Sequence, residues 1–401
     1  MLTYERSLAR IVRATPSPRA EAVTLEAALG LVLARPVVAA IDLPRFDNSA
    51  VDGYAIRMSE SGGDARLARQ VIGVAEAGRP FNGCLRESQA VRIFTGAQVP
   101  DGADAVVMQE HVRRAGSRVW LKRSAKAGQH IRRRGEDVRR GSRVLEPGTR
   151  LRPQELGLLA ALGHRAVHVR PRPSVAVLAS GDEIRPPGSR LRPGQIFESN
   201  TALLGGLIRQ AGAEPIRLGL VGDALRPLAA AIRRGLRFDL LIATGGVSVG
   251  EKDLLRRALR ACGVRPVLWK VNMKPGMPLF VGTRGRSLVF GLPGNPVSVF
   301  VTFEEFVRPA IDTLLGRSRG DGYTLPATLA QPLTLSTTRR THFIRVQTER
   351  QDGRLLARPL NGQGSHQLRT LSVAHGWIRL RSDQGPWPAG APVLVKLEAT
   401  T

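Results

Sequence analysis

Cysteine is nearly absent: Cys84 and Cys262 are the two in 401 residues, and their spacing matches no metal or redox motif. A disulfide framework is thereby excluded, and a reducing compartment is the natural setting. Aromatic residues are only 4% of the chain, too few for the stacking platforms on which single-stranded nucleic acids lie. The longest apolar stretches, 174–179 and 297–303, fall far short of the roughly 18 residues that read as a membrane span. The opening Met1-Leu2-Thr3-Tyr4-Glu5-Arg6 lacks the apolar region of a signal peptide. The expectation is a cytoplasmic protein with no membrane partner.

Lysine is also scarce, at six of the 60 basic residues, and 33 acidic residues leave a formal net charge of +27. Such a charge alone would point to a polyanion. The other 54 basic residues are arginines spread over the whole chain, which reads as a compositional bias rather than a groove for phosphate backbones, so no nucleic-acid partner is expected. The densest run, Arg132-Arg133-Arg134 with Arg139-Arg140, surrounds Glu136 and Asp137. A solvated turn and a site for an anionic ligand explain it equally well.

What is present is ordinary globular material, with 42% hydrophobic and 23% charged residues in a chain long enough for two to four domains. Residues 1–41 read as two helices, the second running from near Thr24 through Leu25, Leu29, Leu31 and Leu33 to Pro36. From Asp42 to about Gly141 short β-branched runs alternate with Gly, Pro and Asp turns. A helix after Pro153 closes at Gly163. Beyond Pro173, strand and helix patterns alternate: strands at 174–179, 215–221, 238–243, 264–271 and 287–290, helices at 200–210, 225–234, 253–261 and 297–315, with Ser199 as N-cap and Gly212 as C-cap of the first. Apolar strands alternating with helices predict a doubly wound, mostly parallel sheet. The expected architecture is multidomain α/β and β. It has an elongated helical and mixed domain (1–41 plus 142–171), a β-rich second domain (42–141), a catalytic αβ domain (172–317) and a small C-terminal β domain (318–401).

Ligands of such sheets bind beyond the carboxyl ends of the strands, and three loops there have unusual content. They are Ser180-Gly181-Asp182-Glu183, the run Thr244-Gly245-Gly246-Val247-Ser248-Val249-Gly250-Glu251-Lys252-Asp253, and Gly291-Leu292-Pro293-Gly294-Asn295-Pro296-Val297-Ser298. Glycine-rich turns let backbone N–H groups approach a phosphate. Lys252 is followed by Asp253 rather than Ser or Thr, which departs from a Walker A loop. Carboxylates beside such loops make sense if a cation mediates, so Asp182, Glu183, Asp223 and Asp253 are candidate Mg2+ ligands. Taken singly, each is equally a turn former or cap. Lys270 and Lys274, in a chain with so few lysines, place compact charges where a strand runs into the turn Pro275-Gly276-Met277-Pro278.

These loops, together with Asp47-Asn48-Ser49-Ala50-Val51-Asp52-Gly53-Tyr54-Ala55, Arg92-Ile93-Phe94-Thr95-Gly96-Ala97, Gly102-Ala103-Asp104-Ala105-Val106-Val107-Met108-Gln109-Glu110, Gly135-Glu136-Asp137 and Lys274-Pro275-Gly276, closely resemble the MoeA family of molybdopterin molybdenumtransferases, related to the E domains of gephyrin and the plant enzyme. The resemblance implies a cytosolic homodimer of four-domain subunits that inserts molybdenum into adenylylated molybdopterin, with Mg2+-dependent release of AMP. By resemblance, Asp52, Asp137, Glu183, Asp223, Asp253, Lys270 and Lys274 are catalytic. Asp52, Thr95, Arg132, Arg133, Arg134 and Asp137 belong to a second domain that serves the partner subunit's site. Gly245, Gly246, Ser248, Gly250, Pro275, Gly294 and Asn295 bind substrate, and Pro278, Ser298, Arg345 and Ser365 stand on the molybdate side. The implied partners are adenylyl-molybdopterin, molybdate, a pterin adenylyltransferase and molybdoenzyme chaperones. One departure is Met277, which stands where the family's Lys-Pro-Gly-Lys-Pro has its second lysine: either Arg284 or Arg286 compensates, or molybdate binds weakly, or the chain is a paralogue with changed duty. A non-catalytic pterin-binding or scaffolding paralogue is the competing reading.

Overall fold

The structure is a computed structural model and describes the chain apart from residues 59–66, 246–253, 318–319, 321, 336–339, 382 and 398–401. It comprises two compact units, one of Ala22–His168 and one of Met1–Glu21 with Val169–Thr401.

In the Ala22–His168 unit a six-stranded sheet has the order Ala105–Met108, Gly53–Ile56, Gln89–Ile93, Arg69–Ala75, Arg118–Leu121, Val112–Ala115. Its strands bury both faces. Tyr54, Ile56, Ala90 and Val107 pack on one side, while Ala55, Val91, Ile93 and Val106 pack on the other with Leu85 and Val99. The helix expected from Thr24 to Pro36 is not there; the chain forms the strand Glu21–Thr24, a 3-10 turn Glu26–Ala28 and the strand Val32–Leu33. The leucines at 29, 31 and 33 repeat every second residue, which suits extended chain. Gly30, at φ 75°, turns it in a conformation other residues avoid.

The other unit holds an αβ sheet in the order Glu214–Val221, Ser174–Ser180, Leu240–Thr244, Ser287–Leu292, Phe280–Arg284, Arg265–Trp269. The first four strands are parallel and the last two antiparallel. One face of the sheet is covered where Ala176, Leu178, Leu241 and Val289 pack against Leu228 and Ile232 of the helix Leu225–Gly235 and Leu255 and Leu259 of the helix Leu254–Ala261, and the alternate residues Val175, Val177, Leu240 and Leu288 are buried as well. The strand Phe280–Arg284 was not anticipated. The helix expected over 297–315 is Pro296–Thr302 and Arg308–Leu314 joined by a π-helical turn, Phe303–Val307.

The C-terminal strands close on themselves. Thr341–Gln351 pairs with both Arg354–Pro359 and Gly376–Arg381, and the ring is completed through Leu325–Leu329 and Pro392–Leu397 around Ile344, Val346, Ile378 and Val395. At its start Thr341–Gln351 also takes Met273–Lys274 as a parallel neighbour. The amphipathic helix Tyr4–Ala14 lays Tyr4 against Phe306 and Phe343, ring centroids 5.5 and 5.6 Å away. The Tyr4 hydroxyl donates to the buried Glu305 carboxylate at 2.8 Å.

Candidate active site

At the carboxyl edge of the parallel sheet, adjacent strands deliver adjacent loops. Ser180 ends one strand, and its hydroxyl donates to the Thr244 carbonyl of the next at 3.5 Å. Gly245 follows at φ 85°, and a Cβ there would stand 2.1 Å from the Ser180 carbonyl oxygen. The loops therefore approach more closely than any side chain permits. Gly294 lies beside Gly245, and its carbonyl accepts from the Asn200 side-chain amide at 2.7 Å.

The acids meet on the other side of Ser180. The Asp223 N–H donates to Asp182 Oδ1 at 3.0 Å. The Asp223 carboxyl is pushed up from its ordinary value by burial and by the negative charges of Asp182 and Glu183, although the Asp182 hydrogen bond opposes this. Crowding of this kind is relieved by a cation. Among the described residues no three His, Cys, Asp or Glu side chains stand close enough to form a metal cage. Magnesium does not require one, because it takes one or two carboxylates and completes its shell with waters and substrate oxygens. The donor set Asp182 and Asp223, with Glu183 beside them, fits that ion. Gly246, Ser248, Gly250 and Asp253 lie outside the described residues.

The lysine turn hangs between this sheet and the C-terminal barrel. Lys270 adopts φ 62° and its N–H donates to the Leu279 carbonyl at 2.9 Å. The exposed Lys274 lies in register with the buried His342 and is followed by a cis peptide to Pro275. Met277 and Pro278 close the turn, and the Met277 carbonyl accepts the Val271 and Leu279 N–H groups, each at 3.0 Å. Ser298 is buried in the helix Pro296–Thr302. At the start of that helix the Asn295 amide donates to Ser365 Oγ at 2.8 Å, and the Ser365 carbonyl accepts the Val297 N–H at 3.1 Å.

Arg345 differs from the expectation of an oxyanion ligand. It is 1% exposed. Its guanidinium donates to Gln363, Thr370 and the carbonyls of Gly362, Gly364 and Gln367, and burial pulls it down to about 10. The donors that would meet an anion are spent on the loop that presents Ser365. Replacing Arg345 by Met leaves those acceptors buried and unpaired, so it should cost about 3 kcal/mol or more. Urea unfolding of the full chain checks this, and no shift in midpoint would mean that the loop holds itself.

In the Ala22–His168 unit the short pairing of Asn48–Ser49 with Ile131–Arg132 draws two motifs together, and Ser49 also exchanges backbone hydrogen bonds with Gly96 and Ala97. Asp52 accepts the Thr95 N–H at 2.8 Å and the Thr95 hydroxyl at 2.7 Å. These bonds, with the Arg92 charge, hold its carboxyl below the usual range. Arg133 and Arg134 are less available than their sequence suggests: Arg133 pairs with Asp47 and Arg134 with Asp42, each at 2.6 Å. Arg132 and Asp137 are exposed. Because the Asp52 value is depressed in the folded state, its stabilising effect is present above the unfolded carboxylate value and fades as pH falls through the folded one. Thr95→Val removes one donor and should raise the Asp52 value, which NMR titration of the carboxyl carbon would read; an unmoved titration would assign the depression to the backbone N–H and Arg92.

Two contributors escaped the sequence. Asn200 was read only as a helix start, and Arg92 only as part of a motif. The Arg92 guanidinium lies over the Tyr54 and Phe94 rings, 5.1 and 4.9 Å from their centroids, and donates to the Gly53 carbonyl at 3.2 Å. An aromatic on each side of an arginine in neighbouring strands was the available signal.

Family models match in order along the chain: the MoeA N-terminal region (domain I and II) over residues 2–163, a probable molybdopterin binding domain over 176–313, and the MoeA C-terminal region (domain IV) over 326–397. The Mycobacterium tuberculosis protein named molybdopterin molybdenumtransferase 2 is 37% identical, over 98% of each chain. The Bacillus subtilis molybdopterin molybdenumtransferase is 35% identical, over 99% of this chain and 94% of the relative. A crystal structure titled as the molybdopterin biosynthesis moea protein of Pyrococcus horikoshii superposes with a TM-score of 0.85 at 31% identity, covering 99% of each chain. Fold and relatives together define a transferase of molybdenum cofactor biosynthesis, built as a multidomain α/β and β protein. The chain belongs to the MoeA family of molybdopterin molybdenumtransferases.

Proposed function

We propose that this protein inserts molybdenum into adenylylated molybdopterin and hydrolyses the phosphoanhydride to release AMP. The observation that carries this reading is the meeting of Asp182, Asp223 and Glu183 with the close-packed Gly245 and Gly294 loops at one sheet edge. Gly245 lets the loop pack against Ser180, and Gly294, with only Gly245 Cα at 4.0 Å where a Cβ would stand, leaves room for phosphate oxygens to approach the backbone. Asp182 and Asp223 hold Mg2+ there, with Glu183 beside them and Asp253 as a further ligand. When bound, the ion neutralises charge on the phosphorus oxygens. Lys270 and Lys274 attract the anionic groups, with Pro275 and Pro278 fixing the backbone of their turn. Ser298, Asn295 and Ser365 border the molybdate side at the start of the helix Pro296–Thr302. Gly246, Ser248 and Gly250 are assigned to substrate binding by the family resemblance of their sequence alone. The four-part domain division is kept as a finer proposal than the two compact units.

The test is direct: the protein, adenylyl-molybdopterin, Mg2+ and molybdate are incubated together, and AMP and active cofactor are measured. Cofactor binding with no AMP at any Mg2+ concentration would favour the scaffolding paralogue.

The proposal further assigns Asp52, Thr95, Arg132 to Arg134 and Asp137 to the site of a second copy, in a homodimer. Mixed Asp52→Ala and Asp223→Ala chains, each inactive alone, should then recover activity through heterodimers with one intact site. Dead mixtures, with subunit exchange verified, would place both acids in the site of one subunit.

A further inference from the structure

We infer that the αβ unit carries a second oxyanion site, at the amino edge of its sheet, built from Arg19, Arg172 and Arg286. The three arginines come from separate segments and line one cavity of about 310 Å³ with Glu21, Asp239 and Leu314. Residue Ser174 begins one parallel strand and Ser287 another, so the cavity lies at the end of the sheet remote from the catalytic loops. The strand Ser174–Ser180 has seven residues, which at ~3.3 Å per residue places the two edges about 20 Å apart.

The cavity is held in shape before any ligand arrives. Arg286 donates to the Ser17 carbonyl at 2.8 Å, and Arg170 donates to the carbonyls of Pro18 and Arg19 at 3.4 and 3.0 Å. Pro171 and Pro173 restrict the backbone on either side of Arg172. Of the two acids in the lining, Asp239 is turned to Ser174, whose N–H and hydroxyl it accepts at 2.9 and 2.8 Å. Among the described residues, Arg19 and Arg172 form no ion pair or hydrogen bond through their side chains, and both are exposed. Two arginines with donors unspent, lining one cavity with a third, suit a tetrahedral oxyanion of two charges, whether free or as a phosphate monoester. The cavity volume admits either. An arginine-rich surface alone would not set three arginines of separate segments around one cavity while bonds from Arg170 and Arg286 pin the strap that carries Arg19.

Titration calorimetry on the full chain decides the matter, with inorganic phosphate, molybdate and AMP as separate probes. The Lys270→Ala/Lys274→Ala variant should keep one oxyanion site, since this one lies at the other edge. Arg19→Ala/Arg172→Ala should weaken that site at least tenfold, Arg19→Lys/Arg172→Lys should restore part of it, and Arg257→Ala, an exposed arginine on another element, should leave it unchanged. Tighter AMP than phosphate identifies a phosphate monoester; equal affinities identify a free oxyanion. Loss of all binding in the lysine variant, or equal weakening by Arg257→Ala, overturns the proposal.

Discussion

Asp223→Ala should lower AMP release at least a hundredfold while leaving the melting temperature unchanged or slightly raised. The two halves of this expectation have one cause. Asp223 is an exposed loop residue pressed by the charges of Asp182 and Glu183, so its removal relieves repulsion in the unliganded chain. On the proposed function the same carboxylate would be a ligand of the ion that offsets phosphate charge, and electrostatic terms of that kind carry factors of about a hundred or more. AMP release at varied Mg2+ and a thermal scan measure both halves. A variant with full activity, or one that melts well below the parent, would make Asp223 a structural residue of the turn.

Gly245→Ala is expected to destroy both stability and activity. Any L-residue at φ 85° bears a left-handed penalty of roughly 1–2 kcal/mol. The new Cβ would also stand 2.1 Å from the Ser180 carbonyl oxygen, and that obstacle is backbone rather than a flexible side chain. The strands Ser174–Ser180 and Leu240–Thr244 would have to part at their carboxyl ends. A total cost of about 3 kcal/mol or more follows, readable as a drop in the urea midpoint. A soluble variant with normal stability would show that the loop after Thr244 has another way out.

Much of the αβ part was legible because its signals are local. Apolar strands such as Val175 to Ala179 have no competing interpretation once a helix and Gly212 follow. Ser199 stands at the N-cap as expected, but its side chain makes no capping bond: Glu198 Oε1 accepts the Thr201 N–H at 2.7 Å, a carboxylate one residue earlier doing the hydroxyl's work. Phe280–Arg284 was missed because a strand entered from a turn full of Pro and Gly gives few residues over which a period can be counted. The site was legible as motifs but not as geometry. Nothing in the residue order says that Arg345 turns inward to hold the loop of Ser365, or that Asp42 and Asp47 engage the arginines after Arg132, because those partners lie far apart in sequence.

The helix Tyr4–Ala14 is synthesised long before the neighbours it packs on. Phe306, Glu305 and Phe343, on which Tyr4 rests, are not synthesised until most of the chain has emerged. An isolated helix of 11 residues is marginal in water, so during synthesis this segment stays largely unstructured with its apolar face uncovered. Docking of this helix therefore waits until the chain has been made as far as Phe343, and a chain that terminates before Phe343 exposes a ready surface for chaperones and proteases.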